Sequence, residues 1–292
     1  MTMRGLFALL LLVLSATSPA AARDQKDGRE FALIGTQMVV VYTYRPSPCP
    51  QPKLLIVFAG YHRDADRYRD RARGLAERAC LLVMSPLLDR ERFPTWRYQT
   101  AGVTRKGRVQ PQSKWTGPLL VELIAWGRKW TGRSDIPYIL FGHSAGAQLL
   151  SRFAAYTPPL DAERIVIANP SAHVWPSLEE AAPYGFGGVF DAATREARLR
   201  TYLALPITIY LGMGDTGDRL LVNDEPAVRQ GANRYERGRN VFQAASDLSR
   251  QRAWRFGWRL VEVPDTGHSA RNMLDASQAV EALRRSARES VR

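Results

Sequence analysis

No apolar run in this chain approaches the roughly 20 residues that a helix needs to span a bilayer. The stretch at 6–14 covers only about nine. Cysteine is nearly missing, with two residues in 292, which excludes a cysteine-rich scaffold. Zinc-finger spacing, a Walker loop and an aromatic RNA-binding signature are all lacking, so the usual nucleic-acid and nucleotide-binding classes find no motif here. Tandem repeats and low-complexity tracts are lacking too. Histidine occurs four times, so any chemistry that needs an imidazole has four candidates.

What is present is ordinary globular material, 45% hydrophobic and 24% charged, enough for one sizeable core. The N-terminus reads as a targeting signal. Arg4 gives a positive start, 6–14 an apolar segment, and Pro19-Ala20-Ala21-Ala22 an A-x-A cleavage site. Residues 1–22 are therefore predicted to be a signal peptide and 23–292 a single catalytic domain, exported to the periplasm or secreted; the alternative is an uncleaved anchor. No cysteine closely follows the apolar segment, which argues against a lipoprotein.

Export bears on the cysteines, because disulfides persist in oxidising compartments. Cys49 precedes the apolar run 54–59 and Cys80 precedes 81–84. Both fall at the N-terminal edges of strands expected to be neighbours, so a Cys49–Cys80 disulfide is predicted, contributing roughly 3–4 kcal/mol in the chain-entropy picture. Two buried free thiols are the alternative. The formal charge of +13 comes mostly from arginine. The arginines are scattered, as in Arg67, Arg69, Arg71, Arg73 and Arg78. They read as a solvated surface with an attraction to an anionic envelope, and no nucleic-acid partner is expected.

Along the chain, residues 23–30 are polar and expected to be loose. Strands are predicted at 38–44, 53–59, 81–85, 138–141, 164–168, 207–211 and 258–263. Helices are predicted at 64–79 with Asp64 as cap, then at 117–131, 144–156, 192–203, 240–252 and 269–289. Residues 86–116 form a long connection rich in turn formers. Strands alternating with helices imply an α/β fold, a mostly parallel central sheet with helices on both faces. Ligands of such sheets sit at the carboxyl ends of the strands.

The strongest chemical signal is Gly142-His143-Ser144-Ala145-Gly146, a G-x-S-x-G between a buried strand and an Ala-rich helix. That context belongs to a nucleophile elbow, where a sharp turn lifts the serine hydroxyl above the sheet. The helix after it directs its positive N-terminal end at the same place. A serine needs a base. His268 follows a strand and turn and lies C-terminal to the serine, while His143 should be aimed elsewhere and His62 placed in the loop after the strand 53–59. The acid is expected after the strand 207–211, at Asp215, with Asp218 as competitor. Asp215, Asp218 and Asp224 also raise calcium, but their spacing fails the EF-hand pattern, so no metal and no cofactor is expected. Oxyanion donors are predicted at the amides of Ala145 and Tyr61. An ordinary strand-to-helix turn at Gly60 is the alternative for the latter.

Together these residues resemble the α/β-hydrolase superfamily. The chain after residue 50 is similar to secreted poly(3-hydroxybutyrate) depolymerase-like and feruloyl-esterase-like enzymes. The similarity rests on Phe58-Ala59-Gly60-Tyr61 with Asp66-Arg67-Tyr68-Arg69, Phe141-Gly142-His143-Ser144-Ala145-Gly146, Leu211-Gly212 with Asp215-Thr216, and Val263-Pro264 with Gly267-His268. It implies a triad of Ser144, Asp215 and His268, an oxyanion hole of Tyr61 and Ala145, and carboxylic ester cleavage through an acyl-enzyme. The family has His-Gly in the oxyanion loop where this chain has Ala59-Gly60, which keeps the glycine geometry but implies a differently set loop. No starch-binding or polymer-binding accessory domain is expected, which favours a small or oligomeric ester. The aromatics Phe93, Trp96, Tyr98, Trp115, Trp175, Tyr184 and Phe186 fall where pocket rims would lie, lining an apolar pocket or packing loops onto the domain. Peptide cleavage, acyl transfer, and a non-catalytic envelope binding protein on the same scaffold are the alternative functions.

Overall fold

A computed structural model of the chain describes residues 27–284. The expected signal peptide (1–22), residues 23–26 and the end of the expected closing helix (285–289) lie outside the described residues.

The chain opens with an antiparallel pair, β1 (Asp27–Ile34) and β2 (Gln37–Tyr44). Residues 27–30, expected to be loose, are paired in β1. Their polarity is compatible with a strand at the sheet's edge, where one face meets water: Phe31 and Leu33 are exposed while Ala32 and Ile34 are buried. After a proline-rich turn come β3 (Lys53–Phe58), α1 (Ala65–Arg71), α2 (Arg73–Ala79) and β4 (Leu81–Pro86). The single helix expected over 64–79 is divided at Ala72. Asp64 does not cap it through its side chain, and its carboxylate lies 3.5 Å from Arg71 instead.

The connection after β4 carries a short α3 (Thr95–Tyr98) and a small hairpin of β5 (Thr104–Arg105) and β6 (Arg108–Val109). Then α4 (Gly117–Trp130), β7 (Tyr138–His143), α5 (Ala145–Tyr156), β8 (Arg164–Ala168), α6 (Ala192–Ala204) and β9 (Ile207–Gly212) follow in alternation. The chain continues through α7 (Glu225–Val228), α8 (Arg234–Gln251), β10 (Arg259–Val263), α9 (Ala270–Asp275) and α10 (Gln278–Leu283). Helix α8 starts six residues before the expected 240. Asn233 caps it by accepting from the Glu236 amide at 2.9 Å, while its own Nδ2 donates to Glu236 at 2.9 Å. The closing helix is broken at Ala276, whose ψ of 146° is extended.

The main sheet has the order β1-β2-β4-β3-β7-β8-β9-β10, and every pair from β4 to β10 is parallel. Strand periodicity sorts the core into two layers. Leu54, Ile56 and Phe58 face α4 and α5, while Leu55, Val57 and Ala59 face α1, α2, α9 and α10. Burying each large aliphatic side chain of this kind contributes roughly 1.5–3 kcal/mol. The Cys49–Cys80 disulfide joins the N-terminal ends of β3 and β4, with the two Cα atoms 5.3 Å apart. At the opposite, carboxyl ends of the strands lies the candidate site.

Candidate active site

Ser144 occupies the turn between β7 and α5 with φ 56° and ψ −114°, a conformation that L-residues rarely adopt. Two bonds hold it there: its amide donates to the Ala168 carbonyl at 2.9 Å and its carbonyl accepts from Gln148 at 3.0 Å. The flanking glycines are sterically required. A Cβ on Gly142 would collide with the Gly146 carbonyl, and one on Gly146 with the Phe58 carbonyl.

The structure brings Ser144, His268 and Asp215 into one line. His268 Nε2 lies 3.0 Å from Ser144 Oγ, and His268 Nδ1 lies 2.6 Å from Asp215 Oδ2. An imidazole placed in this way can take the hydroxyl proton while the carboxylate steadies the charged ring. The loops that carry Asp215 and His268 are tied together, since Met213 donates to Val263 and Gly214 to Thr266, both at 2.9 Å. Asp215 is 2% exposed. Its other oxygen lies 3.6 Å from Arg234 Nη1, a buried cation whose guanidinium also donates to the carbonyls of Gly217 at 3.2 Å and Arg219 at 2.7 Å. Nothing in the sequence marked Arg234. Asp218, the rival acid, is exposed. Asp224 caps α7 by accepting from Ala227. Among the described residues no group of three or more His, Cys, Asp or Glu is arranged to hold a metal ion.

The His143 ring lies 4.8 Å from that of His268, tilted by 33°. Burial, aided by the neighbouring His268, holds its pKa well below the ordinary histidine value, so it is neutral. Tyr68 oxygen lies 2.9 Å from His143 Nδ1. Burial pushes the Tyr68 phenol up, so it stays protonated, and its oxygen packs against Gly60, where a Cβ would fall 2.6 Å from it. Tyr68 thus links the loop after β3 to the ring that backs His268. His62 sits in that loop and lines the cleft, with its ring 5.7 Å from that of Tyr61. His173 does not line the cleft. It is buried elsewhere, clasped by Gln230 through both backbone groups, and burial lowers its pKa to about 3.

The Ala145 amide is at the first position of α5, where helical N–H groups lack intrahelical partners. Gly60 packs against the serine, a Cβ there falling 3.7 Å from Ser144 Cβ. The cleft over these groups has a volume of about 660 Å³. Its walls include Tyr61, Tyr68, Leu220, Arg71, Arg219 and Arg271. None of the seven aromatics expected at the rim lines it. Phe93, Tyr98, Trp115 and Phe186 are buried in the core and pack the long connections onto the sheet.

No protein-family model and no curated protein sequence matches the chain. Solved structures do. LpqC, a poly(3-hydroxybutyrate) depolymerase from Bordetella parapertussis, is 28% identical over 88% of this chain and 94% of its own, with a TM-score of 0.76. Poly(aspartic acid) hydrolase-1 from Sphingomonas sp. KT-1 is 28% identical over 88% of this chain and 98% of its own, with a TM-score of 0.79. An S-formylglutathione hydrolase from Agrobacterium tumefaciens shares the fold at 15% identity and a TM-score of 0.52, over 88% and 94% of the two chains. With its eight-stranded, mostly parallel sheet and these neighbours, the chain is a hydrolase that belongs to the α/β-hydrolase superfamily, beside the poly(3-hydroxybutyrate) depolymerase-like enzymes.

Proposed function

We propose that the protein is an exported serine hydrolase that cleaves carboxylic esters through an acyl-enzyme. The observation that carries this reading is the unbroken line from Ser144 Oγ through His268 to Asp215, at 3.0 and 2.6 Å, at the floor of an open cleft. Ser144 attacks the ester carbonyl as its proton passes to His268 Nε2. Asp215 holds the ring orientation and offsets its positive charge. The amides of Tyr61 and Ala145 receive the oxyanion. His268 then protonates the departing alcohol, and a water activated by the same nitrogen releases the acid. Every step uses groups of this chain, and no cofactor takes part. The sequence of residues 1–22 supports export, and the disulfide is compatible with an oxidising compartment. The catalytic domain is read as 23–292.

The test is stoichiometric labelling of the mature protein by a fluorophosphonate, with Ser144→Ala and His268→Ala alongside. Labelling at Ser144 that disappears in both variants is expected. A folded wild-type protein that stays unlabelled would leave the serine unactivated and favour a binding role. A second reading, amide cleavage by the same serine, is supported by the likeness to an enzyme named as a poly(aspartic acid) hydrolase. Comparing matched ester and amide substrates separates the two.

A further inference from the structure

The charge on the walls of the cleft is unbalanced. Four arginines line it, Arg71, Arg219, Arg234 and Arg271, against two carboxylates, Asp64 and Asp215. The carboxylates are spoken for: Asp215 faces His268 and Arg234, and Asp64 lies 3.5 Å from Arg71. Arg219 and Arg271 make no ion pair among the described residues, and both are exposed.

Their placement distinguishes them from the basic surface of a chain carrying +13 charges. Arg219 stands four residues after Asp215, and its own carbonyl is fixed by Arg234 Nη2 at 2.7 Å. Arg271 stands three residues after His268, in the first turn of α9, which Ser269 caps through the Asn272 amide at 3.3 Å. The two unpaired guanidinium groups therefore hang from the same anchored turns that present the acid and the base. Positive charge also continues away from Ser144 in one direction. Arg71 and Arg271 are shared with a neighbouring hollow of about 400 Å³ that carries Arg67 as well. The carboxylates of that hollow are Asp70 and Asp275, and Asp70 is engaged by Arg69 at 2.6 Å and Arg73 at 2.7 Å.

We propose that the cleft takes esters that carry an ionised carboxylate, which Arg219 and Arg271 meet while the ester carbonyl lies over Ser144. This rests on the serine-esterase reading above and adds the substrate's charge to it. Guanidinium groups suit the role because they stay charged and present paired N–H donors to a carboxylate. Their position at an open cleft also draws anions in from solution.

The experiment compares substrates of equal shape and unequal charge. On the acyl side, 4-nitrophenyl pentanoate is set against the 4-nitrophenyl monoester of glutaric acid. On the alcohol side, 4-carbamoylphenyl butanoate is set against 4-(butanoyloxy)benzoate. The wild type is expected to favour the anionic member of at least one pair by about tenfold in kcat/KM, the size of one charge-assisted hydrogen bond. That preference should shrink in about 0.5 M NaCl, where charges are screened within a few ångströms. It should fall toward unity in Arg219→Gln/Arg271→Gln. The pair that shows it tells which half of the ester bears the carboxylate. Equal rates within both pairs overturn the proposal while leaving the esterase reading intact, and so does a preference indifferent to salt and to the double substitution. Hydrolysis of none of the four esters overturns both. The salt dependence is read on the wild-type protein, so the test does not depend on how the variant folds.

Discussion

Arg63 holds the carbonyl of Gly60 twice, through its own backbone amide at 3.1 Å and through Nη1 at 3.4 Å. The Gly60 carbonyl and the Tyr61 N–H belong to one planar trans peptide and point in opposite directions. Gripping the first therefore aims the second. Arg63 is 6% exposed, adopts φ 61°, and stacks its guanidinium 3.5 Å from the centre of the Tyr98 ring. It is a positioning residue for the proposed oxyanion donor. Arg63→Lys keeps the charge and loses the planar fork. The expected result is a fall in kcat of about 10- to 100-fold with KM little changed, since a misplaced oxyanion donor weakens the transition state rather than the bound substrate. Steady-state kinetics on a 4-nitrophenyl ester checks this; a raised KM with kcat intact would contradict it.

Arg234→Leu should be costly for a different reason. Both Arg234 and Asp215 side chains are 1% exposed. Removing the cation leaves a buried carboxylate with His268 alone, and it strips the Gly217 and Arg219 carbonyls of their donor. Breaking one side of a buried pair in this way destabilises by about 3–5 kcal/mol. Denaturant unfolding should show that loss, together with a large drop in fluorophosphonate labelling. A variant as stable as the wild type would mean that water replaces the guanidinium freely.

Stability should decline with acid from a definite cause. His143 and His173 are buried and neutral in the folded protein, the first well below its ordinary pKa and the second at about 3. In the unfolded chain both protonate near pH 6.5. Below that pH the unfolded state binds more protons, so folding weakens by about 1.4 kcal/mol per pH unit for each histidine. For His173 the loss continues down to about pH 3. Unfolding free energies measured between pH 7 and pH 5 should fall with a slope that His173→Leu reduces by one histidine's share. An unchanged slope in that variant would refute the assignment.

Reduction of Cys49–Cys80 should lower stability by about 3–4 kcal/mol, the entropy released by opening a loop of 31 residues. Thermal melts with and without reductant measure it. Labelling of the fraction that stays folded should be unchanged.

The parallel core was readable in the sequence because its strands are nearly continuous apolar runs between glycine- and proline-rich turns. The elbow was readable because its glycines and serine are adjacent in the chain. Strand β1 was not, since Asp27, Arg29 and Glu30 carry no alternation that a sequence shows without its neighbour β2. The start of α8 was in principle visible, because Asn233 and Glu236 stand at the spacing of a capping pair. The contacts of Tyr68 and Arg234 were not readable. Each joins groups whose proximity exists only after the sheet has formed, as with Tyr68 and His143, which are 75 residues apart in sequence.

The disulfide and the serine lie at opposite ends of the same strands, β3 running from the bridge at one end to Gly60 beside Ser144 at the other. The two ends can therefore change separately over evolution. Substitutions that strengthen the bridged end leave the loops around Ser144 untouched, and changes of charge in those loops leave the bridge intact.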